Sequence, residues 1–465
     1  MGLLSVASKT EFGKKHHFEN LKNYADFSKK VPLCTYENIA PTIEKMQRGE
    51  TNINWRGAIN WFAKSSGTTN AQSKFIPVSD EAIENGHFKA GKDMLSLYIN
   101  NHPETKIFTG KSLRLGGSHS NSENNESFVG DLSSIIIENM PFWADFSSSP
   151  KQKIALMNDW EQKIDSIAKA TIDENITSLA GVPSWMLVLL NRVLEMTGAA
   201  HILEVWENLE VYFHGGVNFV PYRNQYEKII PSKNFKYIEI YNASEGFFAM
   251  QDQREKEDLL LLLDHGIFYE FIPMENFQMH PSKTIPLSEV KVAKNYAMVI
   301  TTNAGLWRYL IGDVVVFTGV APYRIKIVGR TKSFINIFGE ELMVHNAEKA
   351  VAKACKTTGA MVAEYTVAPV FMDGTKKGRH QWLIEFKLPP KNIEDFKGVL
   401  EKTLQAENSD YAAKRMLTME CLEIVIAPPK LFHHWLKNQN KLGGQHKIPR
   451  LCNDRKLMEK LFEMM

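Results

Sequence analysis

The chain has 465 residues, of which 44% are hydrophobic and 23% charged, values typical of a folded protein. This length exceeds a single hydrophobic core and predicts about two to four domains. The formal net charge of +2 excludes a global basic field directed at nucleic acid or at anionic lipid. We therefore expect neither nucleic acid nor a membrane as a partner.

The four cysteines are scattered along the sequence without a paired spacing. This pattern is typical of neither a zinc site nor a disulfide framework, and it favours a reducing, cytoplasmic location. The N-terminal apolar run is too short for a signal peptide, and Val6 stands where N-myristoylation requires Ser or Thr. The apolar run at residues 259–263 is far shorter than the roughly 20 residues that cross a bilayer.

The first hundred residues are predicted to be mainly helical, with helices over residues 38–48 and 80–98. Ser79 or Asp80 is expected to cap the second of these helices. Further along, the pattern predicts a long amphipathic helix over residues 151–178. A more apolar helix is predicted over residues 184–196, beginning after Pro183.

From residue 209 onward, short apolar runs predict strands at residues 209–213, 237–240, 298–301 and 314–317. Helices that alternate with such strands indicate an α/β architecture. A domain boundary is expected near residues 328–332. After the boundary, the pattern predicts a compact α+β unit with helices and strands at residues 345–357, 365–371, 382–388, 393–405 and 422–426.

A cluster of small polar residues is the strongest local signal for chemistry. It reads Ser65-Ser66-Gly67-Thr68-Thr69-Asn70, and Lys74 follows closely. The hydroxyls supply hydrogen-bond donors and the glycine lets the backbone turn its N–H groups towards an anion, so the cluster can cradle phosphate. It is not a Walker motif, which requires Gly-Lys-Ser/Thr at fixed spacing. Alone, such a cluster is most often an ordinary surface loop.

Two further motifs adjoin predicted strands. The first, Tyr241-Asn242-Ala243-Ser244-Glu245-Gly246, follows the strand at residues 237–240, and the second, Tyr309-Leu310-Ile311-Gly312-Asp313-Val314, leads into the strand at residues 314–317. In the first, the aromatic ring suits stacking on a base, the hydroxyl suits a phosphate, and the carboxylate suits a hydrated Mg²⁺. In the second, an Asp at the mouth of an apolar strand suits the two hydroxyls of a ribose. The alternative for both is a turn at a strand end.

Two weaker motifs complete the set, Gly329-Arg330-Thr331-Lys332 at the boundary and Gly443-Gly444-Gln445-His446-Lys447-Ile448-Pro449 near the C-terminus. In this order, the five motifs resemble the ANL superfamily of adenylate-forming enzymes. More closely, they resemble the auxin-responsive promoter (Gretchen Hagen) family of acyl acid amido synthetases. The segments 115–120 and 213–217 are also similar to that family. The third motif departs from it, with Leu310-Ile311 where Arg-Val is common.

The resemblance extends from about Val31 to the C-terminus and implies both a fold and an activity. The fold would be a large N-terminal α/β domain of ANL type, residues 1–328, and a smaller α+β C-terminal domain, residues 329–465. The first domain would bind ATP and an acyl acid, and the second would rotate about a hinge. The activity would be ATP- and Mg²⁺-dependent adenylation of a carboxylic acid, followed by acyl transfer to an amino acid.

The resemblance also implies a role for each site residue. The ATP phosphates would be bound by Ser65, Ser66, Thr68 and Thr69, the adenine by Gly216, Val217 and Tyr241, the α-phosphate by Ser244, and the ribose by Asp313 and Arg330. Glu245 would help to hold Mg²⁺, Lys332 would mark the hinge, and Lys447 would act in adenylation. The acyl acid would lie near Arg114, Ser118, Val182, Trp185 and Met186.

Several alternatives stay open at the level of sequence. Arg114 would either meet the substrate carboxylate or lie on the surface, and Trp185 and Met186 would line the pocket or belong to the core. An acyl-CoA ligase would share the first half-reaction and use a thiol acceptor. A protein that binds nucleotide or acyl acid without turnover is a third possibility, although the presence of Glu245, Asp313 and Lys447 argues against it.

Overall fold

The fold of the chain was obtained as a computed structural model, and it consists of two compact units. The first comprises Met1–Phe219 and Tyr226–Ile327, and the second comprises Val220–Gln225, Val328–Leu442 and His446–Met465. The structure describes residues 1–65, 74–121, 127–216, 219–220, 222–253, 256–277, 283–331, 334–335, 340, 342–371, 377–408, 411–412, 414–415, 419–439 and 447–465.

The helices and strands of the described residues are numbered in chain order. The helices are α1 (Gly2–Ala7), α2 (Glu11–Lys15), α3 (Tyr24–Lys30), α4 (Tyr36–Gln47), α5 (Asp80–Ala82), α6 (Lys89–Asn101), α7 (Leu132–Glu138), α8 (Phe142–Phe146), α9 (Gln152–Ala155), α10 (Trp160–Thr171), α11 (Pro183–Thr197), α12 (Arg223–Ile229), α13 (Val344–Thr358), α14 (Ile393–Glu407), α15 (Leu431–Asn438) and α16 (Lys456–Phe462). The strands are β1 (Trp61–Ser65), β2 (Lys74–Val78), β3 (Lys111–Arg114), β4 (His119–Asn121), β5 (Phe128–Gly130), β6 (Ser148–Ser149), β7 (Ile176–Gly181), β8 (Val211–Gly215), β9 (Lys236–Ala243), β10 (Gly246–Met250), β11 (Leu259–Leu261), β12 (Ile267–Pro273), β13 (Ile285–Pro286), β14 (Asn295–Thr302), β15 (Tyr309–Val320), β16 (Tyr323–Arg330), β17 (Phe334–Ile335), β18 (Leu342–Met343), β19 (Met361–Val370), β20 (Arg379–Leu388) and β21 (Glu423–Ala427).

A twelve-stranded sheet forms the centre of the first unit, in the order β13-β12-β14-β15-β16-β11-β10-β9-β8-β7-β3-β6. Adjacent strands are parallel from β6 through β3, β7 and β8 to β9. Adjacent strands are antiparallel from β9 through β10 and β11 to β16. Parallel neighbours need a crossover connection, and α11 and α12 lie in the connections before β8 and β9. This half of the sheet is therefore the predicted α/β arrangement.

The antiparallel half of the sheet curls around an aromatic core. Phe248, Phe271 and Phe317 are fully buried in it, and the rings of Phe271 and Phe317 meet edge to face with centroids 5.0 Å apart. Strands β9 and β15 are four positions apart in the sheet order, yet Tyr241 on β9 hydrogen-bonds Asp313 on β15. Neighbouring strands are about 4.8 Å apart, so a flat sheet would separate these side chains too far, and the sheet must be strongly curved.

A second sheet of the first unit has the strand order β2-β1-β5-β4. The mainly helical prediction for the first hundred residues missed β1 and β2. Trp61, Phe62 and Ala63 are consecutive buried residues, and such a short apolar run has no periodicity that separates a strand from a helix. Pairing with β5, which is distant in sequence, makes this segment a strand.

The predicted long helix over residues 151–178 is wrong, because three elements occupy it. Helix α9 ends at Ala155, and α10 begins after Asp159, whose side chain accepts a hydrogen bond of 2.7 Å from the N–H of Gln162. Strand β7 begins at Ile176 and pairs with β3 and β8. An N-cap therefore starts the helix later than predicted, and strand pairing ends it earlier. The apolar helix predicted over 184–196 is confirmed as α11.

The second unit contains the three-stranded sheet β19-β20-β21 with a hydrophobic core on each face. Along β20, Trp382 and Ile384 belong to the core under α13 and α14, and Leu383 belongs to the core under α15 and α16. Successive side chains of a strand point to opposite faces, so the continuous apolar run from Trp382 to Ile384 contributes to both cores. The predicted elements at residues 345–357, 382–388, 393–405 and 422–426 are confirmed with slightly shifted ends. In the part of the chain described, no helix is long and apolar enough to span a membrane.

Candidate active site

The carboxyl ends of the parallel strands β3, β7, β8 and β9 meet at one edge of the twelve-stranded sheet. The strands pair in register up to these ends, so the residues that follow them are neighbours. In open α/β sheets, ligands bind in the crevice outside the carboxyl ends of the strands. The connections that leave β3, β7, β8 and β9 are therefore the candidate site of the first unit.

The end of β8 requires two glycines. A Cβ on Gly215 would overlap the carbonyl oxygen of Ile240 on the neighbouring strand, and Gly216 has a φ of +79°, in the left-handed region. A Cβ on Gly216 would lie 3.4 Å from Cγ2 of Val182. The backbone after β8 thus exposes bare peptide beside the β7–α11 connection. Val217, the other residue predicted for the adenine, lies outside the described residues.

The structure brings Tyr241 and Asp313 together. The hydroxyl of Tyr241 donates a hydrogen bond to the carboxylate of Asp313, and both residues are buried. The ring of Tyr241 packs on that of Phe248, with centroids 4.8 Å apart. The sequence predicted both residues for the nucleotide site, but it showed no contact between them, because they lie on strands that are remote in the chain.

The sequence predicted Asp313 at the mouth of a strand, but the structure places it inside β15. The register of β15 against β14 slips between the pairs Ala297↔Val314 and Val299↔Leu310, which marks a β-bulge. Gly312 has a φ of +90° within this bulge. A bulge changes the direction of a side chain relative to a regular strand, so the bulge is what directs the Asp313 carboxylate towards Tyr241. Leu310 packs against an apolar cluster.

Ser244 carries a buried hydroxyl with no hydrogen-bond partner among the described residues. It occupies the turn between β9 and β10 together with Glu245, which is half-buried. Leaving a buried hydroxyl unpaired costs about 1–3 kcal/mol, and a bound polar ligand would relieve that cost. Gly246 closes the turn with a φ of +158°, where a Cβ would lie 2.6 Å from Cδ1 of Ile267.

The polar cluster after β1 is described only at its margins. Ser65 is the last residue of β1 and is paired with Lys74, the first residue of β2, so the cluster connects two antiparallel strands. The ammonium of Lys74 lies 5.7 Å from the ring centroid of Tyr36. The predicted phosphate ligands Ser66, Thr68 and Thr69 lie outside the described residues.

Arg114 is the last residue of β3, and it is buried rather than on the surface. Its guanidinium forms an ion pair with Asp145 of α8, and a second nitrogen lies 2.6 Å from the sulfur of Met140. The surface alternative for Arg114 is thereby wrong. A substrate carboxylate at this position would have to share the guanidinium with Asp145.

The residues predicted for the acyl pocket differ in burial. Val182 is the N-cap of α11, and Trp185 is half-buried. Met186 is fully buried, and a Cβ added to Gly181 would lie 3.6 Å from the Met186 Cε. The Trp185 ring meets that of Trp160 edge to face, with centroids 5.4 Å apart. Trp185 therefore presents an aromatic surface at the start of α11, whereas Met186 belongs to the packed interior.

Two tyrosines that the sequence analysis did not single out fix the start of α11. The hydroxyl of Tyr212 donates to the carbonyl of Gly181 at 3.0 Å, and that of Tyr226 donates to the carbonyl of Pro183 at 2.7 Å. Their rings stack with centroids 5.2 Å apart. No local signal in the sequence indicates this clamp, since a tyrosine in an apolar strand, such as Tyr212, or in a helix, such as Tyr226, is ordinarily packing.

Lys163 is a further residue that sequence reasoning missed. It is 1% exposed on α10, and its ammonium donates to the carbonyls of Gly116 and Gly117 at 3.0 and 2.8 Å. Burial lowers the pKa of this amine to about 8, and the carboxylate of Asp131 opposes that shift. Asp131 also holds this loop, because its N–H donates to the carbonyl of Ser118. The available signal was the position of Lys163 on the apolar face of the helix, four residues before Ile167.

The residues predicted for the hinge and for adenylation belong to the second unit. Arg330 is half-buried at the end of β16, after Gly329 with a φ of +159°. Lys332 lies outside the described residues. Lys447 is exposed, and the segment that follows it lies along β19.

Among the described residues, no group of three or more His, Cys, Asp or Glu side chains is arranged to hold a metal ion. Protein sites that bind Mg²⁺ with a nucleotide commonly supply only one or two carboxylates, and phosphates and waters provide the other ligands. Glu245 beside the unpartnered hydroxyl of Ser244 fits this requirement. The donor set thus fits a magnesium–nucleotide complex better than a cation held by protein alone.

Sequence models of the three domains of one family match this chain. The GH3 family N-terminal domain matches residues 1–235, the GH3 family central domain matches residues 260–330, and the GH3 family C-terminal domain matches residues 345–456. The N-terminal domain alone accounts for half of the chain, and the three matches follow one another in chain order.

Curated proteins and solved structures agree with these matches. The chain is 23% identical to indole-3-acetic acid-amido synthetase GH3.3 of Arabidopsis thaliana, over 99% of this chain and 89% of that protein. The structure of AtGH3.15 acyl acid amido synthetase in complex with 2,4-DB has a TM-score of 0.81 at 19% identity, covering 99% of this chain and 92% of that one. The structure of 2-hydroxyisobutyryl-CoA ligase in the postadenylation state has a TM-score of 0.62 at 13% identity, covering 100% and 90%. These likenesses confirm the predicted fold of adenylate-forming enzymes.

Proposed function

Because the chain belongs to the GH3 family, the auxin-responsive promoter family that its motifs resemble, we propose that it is an acyl acid amido synthetase. It activates a carboxylic acid with ATP and transfers the acyl group to the amine of an amino acid. The observation that carries the proposal is the buried, unpartnered hydroxyl of Ser244 at the carboxyl edge of the sheet. A phosphate at this position gives the hydroxyl its missing partner.

The nucleotide is proposed to lie across the ends of β8 and β9. Adenine would face the bare peptide of Gly216 and the ring of Tyr241, and the ribose hydroxyls would donate to Asp313. Asp313 accepts a hydrogen bond from Tyr241, so the tyrosine hydroxyl helps to satisfy the buried carboxylate. The other proposed ATP ligands are Ser65, Ser66, Thr68 and Thr69 for the phosphates, Val217 for the adenine and Arg330 for the ribose.

In the first half-reaction, a carboxylate oxygen of the acid attacks the α-phosphorus of ATP, and pyrophosphate leaves. Two anions approach each other, so catalysis depends on cations and hydrogen-bond donors that neutralise the charge of the transition state. We assign this work to the ammonium of Lys447 and the hydroxyl of Ser244. Mg²⁺, held through Glu245 and the phosphates, would supply charge neutralisation at the phosphates.

In the second half-reaction, the amine nitrogen of the acceptor attacks the acyl carbonyl carbon of the adenylate. The bond between that carbon and the phosphate oxygen breaks, AMP leaves, and the amine loses a proton. No covalent bond to the protein forms in either step. We propose that the C-terminal domain, residues 329–465, moves about a hinge near Lys332 between the two steps, a motion of the kind that lets one cleft serve two reactions.

The acid is proposed to be apolar and aromatic. Trp185 presents an aromatic face at the start of α11, supported by Trp160 and held through the Tyr212 and Tyr226 clamp on the same connection. The name of one relative mentions an indolyl acid, indole-3-acetic acid, and the structure of another is a complex with 2,4-DB. Ser118 and Val182 would line the same end of the site, and Arg114 would orient the carboxylate.

A cytoplasmic location is proposed, because the reaction consumes ATP and an amino acid.

The activity is tested by acid-dependent exchange of pyrophosphate into ATP, in the presence of Mg²⁺, with a panel of aryl, indolyl and fatty acids. We expect exchange with aromatic acids, lowered at least about 10²-fold in Lys447→Ala, since a donor to transition-state charge is worth that much. Exchange at an unchanged rate in Lys447→Ala would remove that residue from adenylation. No exchange with any acid would contradict the proposed activity.

The acceptor is tested separately with preformed acyl-adenylate. Addition of amino acids is expected to give an amide and release AMP, and addition of CoA is expected to give no thioester. A thioester without an amide would identify the chain as an acyl-CoA ligase instead.

A further inference from the structure

The segment after Lys447 is bound to the edge of β19 in the second unit. Residues Arg450 and Cys452 exchange backbone hydrogen bonds of 2.9 Å with Val367, and Leu451 forms a parallel bridge with the same residue. Ile448 is buried in the core on one face of the sheet, and Leu451 is buried in the core on the other face. The segment therefore straddles the sheet edge and is held from both sides.

Arg450 adds a side-chain anchor to this backbone pairing. Its guanidinium carbon lies 4.5 Å from the ring centroid of Tyr365, and one of its nitrogens donates to the Tyr365 carbonyl at 3.1 Å. The same guanidinium forms an ion pair with Glu364. A planar guanidinium can stack and donate at once, which the ammonium of a lysine cannot reproduce.

The anchor rests on a rigid support. Tyr365 is 1% exposed and stacks on Trp382 of β20, with ring centroids 5.5 Å apart and planes 22° apart. Beside it, the hydroxyl of Thr366 donates to the carbonyl of Pro449 at 2.6 Å. Three residues of extended chain span at most about 11 Å, so Lys447 begins close to this anchor.

We propose that Arg450, held by Glu364 and Tyr365, is a positioning residue for Lys447. The inference rests on the proposed function, in which the Lys447 ammonium acts on the transition state of adenylation. A lysine side chain has about 2 kcal/mol of rotamer entropy, and a displacement of about 1 Å in a catalytic group can cost about 10²-fold in rate. Fixing the backbone three residues away restricts where that ammonium can reach, without any contact between Arg450 and substrate.

The test is a double-mutant cycle on acid-dependent pyrophosphate exchange. The proteins compared are the unaltered chain, Arg450→Lys, Lys447→Ala and the double variant. We expect Arg450→Lys, which keeps the charge but loses the planar stack, to lower kcat/KM about 10- to 100-fold. In the Lys447→Ala background the same change is expected to have less than about a twofold effect, because the group that it positions is gone.

Arg455→Lys is the matched control. Arg455 also joins the C-terminal segment to the sheet, through the Pro369 carbonyl at 2.9 Å and the Gln381 side-chain oxygen at 2.8 Å, but it lies farther from Lys447 in sequence. It is expected to leave exchange within about twofold of the unaltered chain. Glu364→Gln removes the ion pair and keeps the stack. It replaces Arg450→Lys in the double-mutant cycle if Arg450→Lys fails to fold.

The outcomes separate this inference from the proposed function. Effects of Arg450→Lys and Lys447→Ala that multiply would overturn the positioning role, and so would an equal loss in Arg455→Lys. Absence of exchange in the unaltered chain would overturn the proposed function and, with it, this inference. The assignment is supported if Arg450→Lys lowers exchange only in the protein that retains Lys447, and if Arg455→Lys does not lower it.

Discussion

Tyr241 and Asp313 show how single residues prepare the nucleotide site. The tyrosine hydroxyl donates to a buried carboxylate that the proposed function assigns to the ribose. Tyr241 contacts one oxygen of this carboxylate, and a carboxylate has two oxygens that each accept hydrogen bonds. The tyrosine hydroxyl and the ribose hydroxyls would therefore share one carboxylate.

This shared carboxylate makes Tyr241→Phe informative. Without nucleotide, we expect the free energy of unfolding to fall by about 1–3 kcal/mol, because a buried carboxylate loses a donor. At saturating ATP the loss is expected to be smaller, since the ribose hydroxyls then also donate to the carboxylate and leave it less exposed to the loss of one donor. Urea unfolding with and without ATP measures both values, and an equal loss in the two conditions would argue against Asp313 as the ribose ligand.

Lys163 leads to a prediction for pH dependence. Its pKa in the folded chain is about 8, below the ordinary value of 10.5, because the amine is buried. Below pH 8 both folded and unfolded chains carry the proton, and the folded chain bears the full cost of the buried charge. Between pH 8 and 10.5 the folded chain releases the proton and the unfolded chain keeps it, so stability rises with pH through this window.

Lys163→Met has no proton to release. The unfolding free energy of the unaltered chain, minus that of Lys163→Met, is therefore expected to rise by about 2–3 kcal/mol between pH 7.5 and 10.5. Urea unfolding of both proteins across this range measures the gain. Parallel pH profiles would show that Lys163 is not the buried amine described here.

At the scale of elements, the bulge in β15 is the feature on which the site depends. Gly312 adopts a φ of +90° there. Gly312→Ala is expected to lower the unfolding free energy by about 1–3 kcal/mol, because an L side chain is strained in this region. It is also expected to weaken ATP binding, since a regular strand would turn Asp313 away from Tyr241.

Gly398→Ala is the control for this substitution. Gly398 lies in α14, and an added Cβ there would meet no atom within 4 Å. Alanine is favoured over glycine inside a helix by about 1 kcal/mol, so this variant should be more stable, with ATP affinity unchanged. Calorimetric titration with ATP and urea unfolding of both variants check the pair, and unaltered ATP affinity in Gly312→Ala would separate the bulge from the site.

At the scale of the whole molecule, the chain consists of two units with separate hydrophobic cores. Of the proposed nucleotide ligands, Gly216, Tyr241, Ser244 and Asp313 belong to the first unit, and Arg330 belongs to the second, two residues after Val328. ATP in the absence of an acid is therefore expected to protect the backbone amides of β8 and β9 from hydrogen exchange, while those of β20 keep their rates. Asp313→Ala should abolish that protection. An equal rise of protection in β20 would mean that ATP alone engages the second unit beyond Arg330.

Through their resemblance to a known family, the five motifs predicted the fold class, the family and the proposed activity, because each motif is a short local run that the sequence displays directly. Periodicity also located α11 and the main elements of the second unit, where apolar spacing and strand alternation are regular. It failed at β1, β2 and β7, where strand pairing with distant segments overrides a local pattern that is short or helix-like.

The tertiary structure alone revealed how the site is held together. The bond between Tyr241 and Asp313 exists because the sheet curls and β15 bulges, and neither is a property of a local window. The Lys163 contacts with Gly116 and Gly117, and the Tyr212 and Tyr226 clamp on α11, likewise join residues that are remote in sequence. Sequence by itself determined which groups are present and roughly where along the chain, since local spacing carries that information. Only the fold determined which of them meet, because a hydrogen bond depends on distances in space.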